Sequence, residues 1–72
     1  MYAHYHFTLG EVVFMRSDLK KEMPLTVRDF FINDYGVPII SVQWINKHGI
    51  PEYMLNVNSN MFYPAFINNK NL

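Results

Sequence analysis

The nine residues PIISVQWIN, Pro38 to Asn46, constrain this chain more than any other stretch. Ile40, Val42 and Trp44 fall on one side of an extended backbone and Ser41 and Gln43 on the other, and β-branched side chains dominate, so the segment reads as a strand. Ile39 and Ile45 interrupt its polar side. Turn residues flank it, NDYG with Gly36 before and NKHG with Gly49 after, and a strand between two turns calls for antiparallel neighbours.

The neighbours can be read in the same way. In FTLGEVVFMRS, Leu9, Val13 and Met15 share a face with Glu11, and Gly10 marks a bend or bulge. SDLKKEMP is polar, ends at Pro24 and reads as a loop with room for one helical turn. IPEYMLNVN sets Tyr53, Leu55 and Val57 against Glu52, Asn56 and Asn58, with Met54 as the exception. MFYPAF is a last short strand, and Pro64, which lacks an N–H donor, confines it to an edge or a bulge.

The segment LTVRDFFINDYGVP supports two readings. As a helix over about 26 to 35 it has Thr26 as N-cap, Asp29 three residues on, apolar positions at Val27, Phe30, Phe31 and Tyr35, then Gly36 and Pro38 as stop signals. As a strand it places Leu25, Val27 and Phe31 on one face and turns at NDYG. The fold expected is all-β, a small barrel or strongly curved sheet of about five short antiparallel strands. The alternative is an α+β domain containing that helix.

Seventy-two residues without a cysteine form one domain, residues 1 to 72, held by its core alone. The Asn-rich end at 68 to 72 is expected to fray. Half the chain is apolar and 17% aromatic, so a few large side chains must supply the buried area. One face collects Leu9, Val13, Met15, Leu25, Val27, Ile40, Val42, Trp44, Tyr53, Leu55 and Val57. The opposite parity holds Val12, Phe14, Phe30, Ile32, Ile39, Ile45 and Met54. A single small barrel cannot bury both sets, so the second set implies either a helix or an outer face that meets another chain.

GEVVFMRS at Gly10 to Ser17, PLTV at Pro24 to Val27 and ISVQWIN at Ile40 to Asn46 together resemble the YodC-like family of small uncharacterised bacterial proteins. The likeness spans roughly residues 7 to 58 and implies an SH3-like barrel of about five strands. It implies no activity, because the family has none to transfer. The chain departs from the family in lacking a Gly-Gly-Pro-type loop after the first strand and in its longer FFINDYGVP segment. The aromatic N-terminus and MFYPAF are further additions. The resemblance moves residues 25 to 32 from helix towards strand.

Six basic and six acidic residues balance to zero net charge, so no field draws in nucleic acid or an anionic membrane. No apolar run reaches the length of a membrane span and the N-terminus lacks a signal-peptide pattern, which points to the cytoplasm. Catalysis finds no cysteine, no serine in a nucleophile motif and no glycine-rich phosphate loop, so a non-enzymatic protein without a cofactor is expected.

Three binding readings are available. The leading one is protein contact, most simply homo-oligomerisation or an unidentified protein partner, through Phe14, Phe30, Ile32 and Ile45. The second is a weak single-stranded nucleic-acid site in which Arg16, Lys20, Lys21 and Arg28 form a basic stripe beside Phe14 and Phe30. Asp18, Glu22 and Asp29 offset that stripe. The third is a metal site at His4 and His6, two imidazoles on one face of a strand, which needs a further ligand from His48, Glu52 or Glu11. Surface or packing histidines are the simpler reading, with Tyr5 and Phe7 turned to the domain. Trp44 suits either the core or an aromatic peptide groove, with Tyr35, His48 and Tyr53 near the turns as its other wall, and its shared face with Ile40 and Val42 favours the core.

Overall fold

The protein is represented by a computed structural model that describes residues 6 to 65. Five strands follow in order: β1 (Val12–Met15), β2 (Leu25–Ile32), β3 (Pro38–Ile45), β4 (Pro51–Asn58) and β5 (Phe62–Pro64), with a 3-10 turn at Ser59–Met61 between the last two. They form one antiparallel sheet in the spatial order β4-β3-β2-β1-β5. The domain is therefore all-β. The sheet is not closed into a barrel, because β4 and β5 occupy its two edges and do not pair with each other.

The helix at 26 to 35 is not formed. Residues 25 to 32 are the central strand β2, hydrogen-bonded to β1 on one side and β3 on the other. Helical geometry there would have satisfied its own backbone and left the facing edges of β1 and β3 open. The strand instead buries Leu25 and Val27 completely. The helix-stop signals in NDYG serve as a hairpin turn.

That turn and the next share one chemistry. Asn33 Oδ1 accepts the N–H groups of Tyr35 and Val37, while Gly36 N–H donates to Asn33 O. Asn46 Oδ1 accepts from His48 and Ile50, while Gly49 N–H donates to Asn46 O. Each glycine has a positive φ, +77° and +79°, which side chains other than glycine's rarely adopt. An Asx side chain opening the turn and a left-handed glycine ending it are what make N-x-x-G a hairpin signal here.

The longer β1–β2 loop is held by Asp18, whose carboxylate accepts the N–H groups of Glu22 and Met23 at 3.1 and 2.9 Å. Arg16 ties it to the 3-10 turn: its backbone N–H donates to Met61 O and its Nε–H to Asn60 O.

The core consists of Phe7, Val13, Leu25, Val27, Ile40, Val42 and Phe62, with Met15, Phe30, Trp44, Met54 and Val57 packed against it. Two β-bulges explain why this differs from the expected face. In β2 the pairing runs Val27↔Val42 and then Asp29↔Ser41, so one extra residue enters at that point and reverses the alternation. Phe30 thereby turns inward and Phe31 outward. In β4 the pairing runs Val42↔Met54 and then Ile40↔Val57, so two residues, Leu55 and Asn56, oppose Ser41. Met54 and Val57 both face the core, and Tyr53 and Leu55 face out.

Both irregularities lie beside Ser41. Its side chain is buried and its Oγ accepts the backbone N–H of Asn56 at 2.9 Å, a donor that the bulge removes from the ladder. Asn56 itself has φ +55°, the left-handed conformation that asparagine tolerates better than most residues. The sheet is thus bent at one level across three strands, which is how a short sheet curls around seven buried side chains.

Three members of the expected core are corrected by this geometry. Leu9 precedes β1 in an exposed turn, and Tyr53 and Leu55 are exposed on β4. Phe7 and Phe62 take their place. Phe7 is buried and meets the Phe30 ring edge-on, with centroids 6.3 Å apart. The expected partner position of Tyr5 lies outside the described residues. Pro64, as its missing donor requires, sits on the edge strand β5, paired with Val13.

Candidate interaction surface

The four residues expected to make an outward apolar patch are dispersed. Phe14 lies on the outer face of β1 against Tyr63 of β5, ring centroids 6.2 Å apart. Phe30 is inward, covered by Phe7 and His6. Ile32 pairs with Pro38 at one end of β3, and Ile45 closes the other end, about 23 Å away at the rise of an extended strand. Only Ile45 belongs to a continuous exposed apolar strip.

That strip is Ile45, Tyr53 and Leu55, which are 59%, 54% and 63% exposed. Tyr53 pairs with Gln43 and Pro51 with Ile45, so Ile45 and Tyr53 are diagonal neighbours on the same face. Leu55 follows Tyr53 at i+2, on that face too. Periodicity alone assigns Tyr53 and Leu55 to the core. The bulge that exposes them carries a faint signal in the sequence, an Asn at 56 inside an apolar alternation already broken by Met54.

The strip borders an edge of the sheet that no described strand pairs. Asn46 N–H donates to Ile50 O at the hairpin, and alternation from that bond directs the backbone groups of Glu52 and Met54 to β3. Those of Tyr53 and Leu55 then point away from the sheet. The only charge on β4, Glu52, accepts from Asn46 Nδ2 at 2.9 Å. No lysine guards the edge, although that is a common device for preventing strand addition.

Next to the strip lies an open groove of about 580 Å³, lined by Val12, Met23, Pro24, Thr26, Gln43 and Ile45, with Glu22 and Trp44 also contributing. Trp44 is part-buried against the core and reaches this groove as well. Of the other aromatic-groove candidates, Tyr35 is on the β2–β3 turn and His48 on the β3–β4 turn, at opposite ends of β3.

The basic stripe is not assembled. Arg16 follows the last residue of β1, while Arg28 lies two residues past Thr26, the partner of Val12 at the start of β1. Arg28 Nη1 donates to Gln43 Oε1 at 2.6 Å. Lys20 and Lys21 stay near Arg16 in the loop, with Lys21 Nζ 5.8 Å from the Tyr63 ring centroid. Of the histidine pair, His4 lies outside the described residues. His6 is exposed and tilts against Phe30, 5.8 Å between ring centroids. Among the described residues no group of three His, Cys, Asp or Glu side chains is placed to hold a metal ion. Among them also, no helix is long and apolar enough to cross a membrane.

No protein-family model, no curated protein and no solved structure matches this chain.

Proposed function

We propose that this protein is a non-enzymatic interaction module of the cytoplasm that works by associating with itself. The observation that supports this reading is the strip of Ile45, Tyr53 and Leu55, three large apolar side chains each more than half exposed and contiguous on one face beside a strand edge that no described strand pairs. Contiguous apolar surface of this kind marks a contact site more often than isolated exposed side chains do. Zero net charge adds no long-range repulsion between copies. The resemblance to the YodC-like family is compatible with this reading and adds no activity to it.

Sedimentation velocity over a concentration series from micromolar to millimolar tests the proposal. A mass that rises with concentration towards a defined oligomer is the outcome expected. A monomer at every concentration excludes self-association and leaves contact with a different protein.

A further inference from the structure

We infer that the second copy adds, as an antiparallel β4 strand, to the edge of β4 that no described strand pairs, with the two-fold axis passing through Met54. This rests on the self-association reading above and specifies its interface. On the edge side of β4, Pro51 has no N–H, and the bulge at Leu55 and Asn56 ends regular pairing. The usable segment is therefore Glu52 to Leu55, and its outward donors are the N–H groups of Tyr53 and Leu55.

The register follows from those two donors. Centring the axis on Met54 sets Tyr53 opposite Leu55 of the second copy and Leu55 opposite its Tyr53, so each pair exchanges two backbone hydrogen bonds. Centring it on Tyr53 places Leu55 opposite a proline, and centring it on Leu55 places Tyr53 opposite Val57, beyond the bulge. The Met54 register also gives two aromatic–aliphatic cross-strand pairs on the exposed face. Glu52 lies at the end of the paired segment, near the bulge of the second copy and away from its Glu52, so the pairing brings no like charges together. The contact is isologous and closes at two copies.

Its size predicts its strength. Tyr53 and Leu55, the exposed apolar side chains of the paired segment, offer roughly 200 Å² per copy, against about 800 Å² per partner in a standard stable interface. The dimer is accordingly weak, with a dissociation constant in the micromolar range or above, and it forms where local concentration is high.

Two variants of the full chain test the inference. Leu55→Lys changes an exposed side chain and leaves the core intact, and it should weaken dimerisation in sedimentation by at least tenfold. Met54→Cys introduces the only cysteine. Facing non-hydrogen-bonded pairs have Cα atoms about 4.5 Å apart, within disulfide reach, so mild oxidation should yield a covalent dimer. Leu19→Cys, on the exposed β1–β2 loop, should stay monomeric. A dimer that is insensitive to Leu55→Lys and forms no Met54→Cys crosslink overturns β4 pairing while self-association stands. A wild-type monomer at millimolar concentration overturns both.

Discussion

The backbone N–H of Asn56 donates to the hydroxyl of Ser41 at 2.9 Å, where β4 carries one residue more than β3. A side chain thus supplies the acceptor that the neighbouring strand would otherwise provide. Ser41→Ala removes it and leaves a part-buried donor unpaired. Stability should fall by about 1 to 2 kcal/mol, read as a lower urea midpoint at unchanged slope.

Asn56 itself should tolerate glycine and resist β-branched residues. Its φ of +55° is open to glycine and costs other side chains roughly 1 to 2 kcal/mol. Asn56→Gly should therefore stay within about 0.5 kcal/mol of the parent, whereas Asn56→Val should lose about 1 to 2 kcal/mol. Equal effects in chemical denaturation would show that the conformation at this position carries no strain.

Phe30 and Phe31 are adjacent and should behave oppositely. Phe30 packs on the core beneath Phe7, while Phe31 is exposed. Phe30→Ala should cost about 2 to 4 kcal/mol through lost burial and the cavity left behind. Phe31→Ala should cost less than about 1 kcal/mol. A reversed order in thermal or urea unfolding would mean that the β2 bulge is placed wrongly.

Ser59, in the 3-10 turn, is buried, and its hydroxyl has no hydrogen-bond partner among the described residues. Such a group costs its desolvation without return. Ser59→Ala should leave stability unchanged or raise it by up to about 1 kcal/mol, measured as an upward shift of the unfolding midpoint.

Much of this architecture is legible in the chain. The alternation in Pro38 to Ile45, the two N-x-x-G turns and the missing donor of Pro64 each act locally, so β3, its two hairpins and the edge position of β5 follow from residue types. The excess of large apolar residues on the wrong parity was legible as well, but part of its cause was not. Phe30 and Met54 belong to that excess and are inward because bulges shift them by one residue. Tyr53 and Leu55 are carried outward by the same step. A bulge is a difference in count between two paired strands, so one strand by itself holds no more than a hint of it, such as Asn56 in β4.

The candidate site divides in the same way. Sequence by itself determined that the chain has no thiol chemistry, carries no net charge and holds more apolar surface than a small core can bury. Those are sums over residues and survive any arrangement. Tertiary structure decided which apolar residues are left outside, since pairing register sends Ile45, Tyr53 and Leu55 to one exposed strip and separates Arg28 from Arg16. It also decided that β4 ends the sheet, with two backbone donors that no described strand pairs. Exposure and edge position are properties of contacts between segments far apart in the chain, and only the folded arrangement contains them.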